Sequence, residues 1–261
     1  MKLDKEKYVS HIKDNNRIIE MRRILDKIEI VINNHLVEAT DFLDPYSRLL
    51  AKSILNRFME IQYKEEGGIL GVERQIISIY PDYYDSTNID SNIIALQIKT
   101  NLEGLSHKDF LGAILNLGIS RTKIGDILVH DEYVDIIVKK EAADFIIMNL
   151  ERVGNKKVSV IEKPLEQLTP SKVNYNEIKK TLPSYRLDAY VSATYNLSRQ
   201  ESMSIIKSGH VKINWEPIDK ISKELEEGDI VSIRGYGRSI LHSVDGISKK
   251  GRIKAAIRIL I

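Results

Sequence analysis

Between Ser198 and Arg238 the chain spaces cations, hydrogen-bond donors and one ring in a way suited to holding a phosphate backbone. Ser198, Arg199 and Gln200 stand where the pattern predicts a helix start, and there long polar side chains meet backbone N–H groups with no partner inside the helix. Lys207 falls on the exposed flank of the same helix, and His210 sits beside the turn that follows it. Lys212, Asn214, Arg234 and Arg238 belong to the strands and turns beyond, and Tyr236 lies between two glycines with an arginine on either side. Cations of this kind pair with phosphate, and an exposed tyrosine can stack on a base or sugar. Ser184 and Arg186 lead into the region, and Lys249, Lys250 and Arg252 form a basic turn after it.

These residues need a scaffold, and the hydrophobic spacing supplies one. Leu187, Tyr190, Val191 and Tyr195 recur at intervals of three and four, which predicts a first helix. Ser198 with Glu201 three positions on is a capping box, and Met203, Ile205 and Ile206 give the second helix its buried side. Ser208-Gly209 ends that helix. The period then falls to two. Val211 and Ile213 alternate with Lys212 and Asn214, the turn pair Gly228-Asp229 introduces a strand through Ile230 and Ile233, and Ile253, Ala255, Ile257 and Ile259 predict a terminal strand. Helices folded back on this sheet would bring the cations to one surface.

Upstream, residues 1–66 read as a helical region, with apolar stripes in ILDKIEIVINN and SRLLAKSILNRFMEIQ on either side of the breaker Asp44-Pro45. Residues 67–165 change style to strand, strand, helix, strand, strand, helix, strand. Setting aside one edge strand, QIISIYP being the first of the series, leaves the βαββαβ order of ferredoxin-like and RNA-recognition folds. Its central strands are mostly Ile, Leu and Val, so RNA contact there would use backbone and shape, with Arg121 and Lys123 as candidates. Residues 166–181 read as a linker with a short helix at YNEIKK, followed by a small α/β domain over 182–261. The whole is an α+β chain.

RLDAYV, LSRQESMSIIKSGHVKIN and EEGDIVSIRGYGR, in that order, resemble the ribosomal-protein-S-four-type RNA-binding domain. Trp215 departs from the wider family, many of whose members have Gly there in a tight turn. TDFLDP, EGGILGVERQ, PDYYD, LSHKDFLGAILNLGISRTKIGDI, the KINW form of that turn and SKKGR extend the resemblance over the whole chain, to the bacterial YlmH family. The resemblance implies a cytoplasmic, non-enzymatic RNA-binding protein. Its implied partners are ribosomal RNA of the large subunit, tRNA or peptidyl-tRNA, and other ribosome-rescue factors. It would act in the rescue of stalled ribosomes, or ribosome-associated quality control, with a link to cell division.

Composition is consistent with this. Residues 182–261 hold 13 Lys or Arg against 9 Asp or Glu, so a net +2 chain is basic at this end and slightly acidic before it. There is no cysteine, hence no disulfide or thiolate metal site, and the six histidines show no ligand spacing; neither a metal nor a cofactor is expected. No apolar run reaches membrane-span length, and MKLDKEKYVSHIKDNN is too charged for a secretory signal. The competing class is an RNA-modifying enzyme. Arg186-Leu187-Asp188 matches the RLD of pseudouridine synthases, but a helix follows instead of their Thr-Ser-Gly loop, so Asp188 is expected to cap or pair near the helix start. Gly67, Gly68 and Gly71 precede a strand, which is the wrong order for a methyltransferase loop, and no GxxxxGK[ST] run is present for an ATPase.

Overall fold

Lys5–Val9 forms a short helix, α1, and Asp14 then starts the long helix α2, Asn15–Asn34, by accepting from the amides of Asn16 and Arg17. Met21, Ile24, Leu25, Ile28 and Val31 make the buried stripe of α2, at the spacing that puts side chains on one face. The chain is seen here in a computed structural model that describes residues 2–261 and divides after Lys172 into two compact units.

In the first unit, β1 (Glu38–Ala39) is followed by α3 (Pro45–Leu55), whose first turn is capped by Asp44 accepting from the Ser47 amide and opened by Pro45. Two further strands follow, β2 (Ile61–Glu66) and β3 (Ile76–Pro81), and they pair in the order β1-β3-β2. The region expected to be helical therefore carries its own sheet. QIISIYP, expected among the strands of the middle domain, is the centre of that sheet. It is buried on both sides: Ile77 and Ile79 pack on α2 and α3, while Ile76 packs the other way. A strand buried on both faces is a continuous apolar run, and such a run does not reveal which sheet it joins.

The middle of the first unit has the expected βαββαβ order: β4 (Ile93–Lys99), α4 (His107–Asn116), β5 (Ile124–Val129), β6 (Tyr133–Lys139), α5 (Lys140–Asn149), a small hairpin of β7 (Arg152–Val153) and β8 (Lys156–Lys157), and β9 (Ser159–Lys163). The sheet runs β5-β6-β4-β9, all antiparallel, with α4 and α5 packed on the face of Leu96, Ile98, Val134, Ile136 and Val138. Its other face is filled by the chain itself. Ile93, Ala95, Leu128 and Ile137 meet Phe42, Val72, Ile76 and Leu168.

Polar contacts fix this cover in register. The Arg74 guanidinium donates to the carbonyls of Phe42 (2.7 Å) and Ile124 (3.0 Å), and Asp126 accepts from the amides of Glu73 (2.7 Å) and Arg74 (3.0 Å). Lys139, also buried, donates to the Thr40 carbonyl at 3.0 Å. The Phe42 ring fills the space that a side chain at residue 125 would need.

The second unit begins earlier than the expected boundary at 182. Residues 175–182, expected to be the end of a linker with a short helix, form β10 (Tyr175–Leu182). Then come α6 (Leu187–Tyr195), α7 (Arg199–Lys207), β11 (Val211–Ile213), β12 (Glu216–Pro217), β13 (Ile230–Ile233), β14 (Gly237–Ile247) and β15 (Ile253–Leu260). Among the described residues the order in this sheet is β10-β15-β14-β13-β11-β12, and β10 pairs with β15 along its whole length, from Tyr175 with Leu260 to Leu182 with Ile253. The local sequence of β10 is too polar to announce a strand. Its hydrogen-bond partner lies more than seventy residues away, so pairing overrides propensity.

A methyl group at Gly125 would come within 2.7 and 2.9 Å of the Phe42 ring and 3.1 Å of the Ile137 carbonyl. Gly125→Ala should therefore unseat Phe42 and cost about 1–3 kcal/mol. Thermal melting should show this as an early transition of the first unit, while the second unit melts as before.

Candidate nucleic-acid interface

The site is built outward from the helix pair of the second unit. Residues leading into α6 are zipped to a neighbouring segment, with Leu187 donating to Lys223 O (2.8 Å) and Leu225 to Tyr185 O (2.9 Å), so Ser184 and Arg186 arrive on a fixed backbone. α6 closes at Asn196 in the left-handed conformation, and α7 opens with the expected capping box: the Glu201 amide donates to Ser198 Oγ, and the Ser198 amide to Glu201 Oε2. Hydrogen bonds from the Ser198 hydroxyl and amide hold the Glu201 carboxyl below its ordinary range. Its charge occupies the helix end where an incoming anion would otherwise sit. What this end leaves open to solvent is therefore side chain, Arg199 with Gln200 exposed beside it.

Arg199 does not stand alone. Asp188, in the first turn of α6, has a side chain only 1% exposed, and it accepts from Arg186 through both oxygens (Nε 2.9 Å, Nη2 3.3 Å) and from Arg199 Nε at 3.4 Å. One carboxylate thus orients two guanidinium groups, and Arg199 keeps 75% of its side-chain surface in solvent. Burial pushes the Asp188 carboxyl up, but the hydrogen bonds and charge of Arg186, with the charge of Arg199, outweigh it and hold the group below the usual carboxylate range. The expectation that Asp188 pairs near a helix start describes what is seen.

Behind α6, the hydroxyls of Tyr190 and Tyr195 both donate to Ser239 Oγ, at 2.9 and 3.1 Å, which pins the helix to the sheet. The Tyr195 ring also meets Tyr236 edge-on at 5.6 Å, so the β13–β14 turn leans towards the helix pair with Tyr236 still 44% exposed. Arg234 begins that turn, and its amide donates to the His210 carbonyl. His210 Nδ1 in turn lies 3.0 Å from the Ser208 hydroxyl. Lys207, in the last turn of α7, is exposed.

The remaining candidates do not converge with these. Lys212, Ser232 and Arg238 are cross-strand partners in one row, while the adjacent row of Ile213, Val231 and Ser239 faces the helices. Lys212 and Arg238 therefore point from the opposite face of the sheet. The signal was present locally, because Lys212 stands between buried Val211 and Ile213 and must face away from them. Asn214 is tied into the strand start at Ile230. Lys249, Lys250 and Arg252 occupy the β14–β15 turn, at the far end of an eleven-residue strand from Arg238, roughly 30 Å along it.

In the first unit, Arg121 and Lys123 are engaged within the chain. The Arg121 guanidinium donates to the carbonyls of Ile124 and Gly125, and Lys123 lies 2.6 Å from both Asp41 and Glu141. Burial pushes the Lys123 ammonium down, but hydrogen bonds to Asp41 and Glu141 outweigh it and leave the group above its ordinary range. Among the described residues no cluster has the makings of a metal site, and no helix is long and apolar enough to cross a membrane.

Three family models match the chain in series: "YlmH, N-terminal" over residues 16–84, "Putative RNA-binding domain in YlmH" over 86–167, and the S4 domain over 186–231. The first match covers nearly all of α2, with α3 and the three-stranded sheet, and the second begins ahead of β4. The chain is 30% identical over 242 residues, 92% of its own length and 93% of the relative's, to "Ribosome-associated protein quality control protein P2" of Bacillus subtilis (strain 168). It is also similar to a solved structure, "Cell division protein ylmH from Streptococcus pneumoniae", at 26% identity and a TM-score of 0.51, covering 60% of this chain and 97% of that one.

Because the Asp188 carboxyl is held low, its contribution to stability is complete above about pH 3.9 and is lost as pH falls through its lower folded value. Asp188→Asn removes that contribution. Acid titration followed by circular dichroism should show the variant's second unit less stable near neutrality and its stability flatter below pH 4.

Proposed function

The chain belongs to the YlmH family, and from that premise we propose that it is a ribosome-associated RNA-binding protein of the cytoplasm that engages the large ribosomal subunit together with tRNA. Its work would be quality control of stalled translation: holding a peptidyl-tRNA on a split subunit while other rescue factors act on the nascent chain. The B. subtilis relative is named for ribosome-associated quality control, and the S. pneumoniae structure for cell division.

One observation carries the reading at the level of chemistry. Arg186 and Arg199 are oriented by the buried Asp188 and remain partly in solvent. Pre-oriented guanidinium groups bind phosphate at a lower entropic cost than free ones. With few base-reading groups in the set, affinity should be salt-dependent and weakly sequence-selective, as expected for recognition of folded RNA by shape and backbone. The same observation weighs against a modifying enzyme built on the RLD motif, since both oxygens of Asp188 are taken up by arginines.

Arg199→Ala and Lys207→Ala should each weaken binding to ribosomal RNA and lower the slope of log affinity against log salt by about one unit; the melting temperature should hold in Lys207→Ala and fall modestly in Arg199→Ala, which takes one partner from the buried Asp188. Wild-type slopes and affinities in both variants would remove the helix pair from the interface. Tagged protein isolated from growing cells at moderate salt should bring large-subunit RNA and tRNA without small-subunit RNA. A single other RNA, with a modification missing in cells that lack the protein, would instead favour the enzyme.

A further inference from the structure

The β11–β12 hairpin is closed by Asn214 and Trp215 with φ of 48° and 67°, both in the left-handed region. Two positive φ values in a two-residue loop are the mark of a type I′ turn, in which glycine is the usual second residue. Asparagine tolerates the conformation; a tryptophan side chain is strained in it. The strain is imposed by the surroundings. The Asn214 amide donates to Ile230 O (2.9 Å), its Oδ1 accepts from the Ile230 amide (2.9 Å), and its Nδ2 donates to Asp229 Oδ1 (2.7 Å). With Asn214 fastened at three points, the next residue has little choice of backbone.

Core packing does not compensate Trp215 for this. Its ring is absent from the apolar cluster of the second unit and is partly exposed. What it meets is a cation: the Arg238 guanidinium lies 5.7 Å from the ring centroid. Arg238 shares its cross-strand row with Ser232 and Lys212, on the face turned away from α6 and α7. A strained backbone that holds an indole against Arg238, away from the core and on the sheet face that Lys212 shares, is an arrangement with a use outside the fold.

We propose that Trp215, Arg238 and Lys212 form a stacking platform for an unpaired nucleobase, the indole taking the base and the two cations the flanking phosphates. This rests on the RNA-binding reading above and deepens it. The domain meets RNA on two sides, with folded backbone at the Arg186–Arg199 pair and a flipped or single-stranded base at the hairpin.

Trp215 is the only tryptophan of the chain, so its emission reports on the platform directly. The full chain is titrated with a mixed-sequence single-stranded oligoribonucleotide of about twelve nucleotides, and with an abasic oligomer of the same length. Stacking quenches the indole with the first and leaves it with the second. Trp215→Gly relieves the strained φ, so its melting temperature holds or rises, yet its affinity for the base-bearing oligomer, read by anisotropy of a labelled strand, falls about tenfold. Trp215→Tyr retains most of that affinity, and abasic binding is equal in all three proteins. Equal quenching by both oligomers, or Trp215→Gly binding as wild type does, overturns the platform while leaving RNA binding intact. A wild-type chain that binds neither oligomer nor folded ribosomal RNA overturns both readings together.

Discussion

The second unit depends on a carboxylate that water scarcely reaches. Asp188 is buried in the first turn of α6, and a buried charge without partners is costly enough to unfold its surroundings. Arg186 supplies two hydrogen bonds from the residue before the helix, and Arg199 a third from the start of the next. Satisfying the acid therefore fixes the angle between the helices and aims both cations in one operation. The pinning of α6 to the sheet through Ser239 completes the frame, and the exposed Tyr236 is placed by the same helix through Tyr195. What the unit can present to a phosphate backbone thus follows from needs internal to the fold.

The first unit has spent its sheet differently. In RNA-recognition domains the open face of the four-stranded sheet carries aromatic side chains for bases. Here that face bears Ile93, Ala95, Leu128 and Ile137, and it is closed by Phe42, Val72 and Leu168. Lys123, in the connection to β5, serves the same closure by bridging Asp41 and Glu141. The aliphatic character of the central strands, read in the sequence as a sign against base stacking, is in structural terms the sign of an internal interface.

Much of the molecule was legible because it is local. The capping box at Ser198 and Glu201, the stop at Gly209 and the turn at Gly228 all have their causes within a few residues, and each is found where the sequence places it. The βαββαβ order was likewise readable from alternating periods. What could not be read were pairings between distant segments. β3 is apolar on both faces and could have joined either sheet, and β10 is polar enough to pass for a linker until β15 is known to lie beside it. The division of the candidate cations between two faces belongs to a third kind: the parity of Lys212 was visible, but which face α6 and α7 cover depends on how the helices return to the sheet.

β10 has a consequence for the order in which the protein is made. It is the first strand of its unit to be synthesised, and its one neighbour in the sheet, β15, is the last. Until β15 emerges, β10 is a lone strand with both edges unsatisfied, a condition that invites pairing with foreign chains. Glu177, Lys179 and Lys180 keep it charged through that interval. The first unit, complete by Lys172, can close while the ribosome is still at work, whereas the sheet of the second unit is zipped shut by the last of its strands to be translated. Its own synthesis thus leaves the second unit unfinished until β15 has been made.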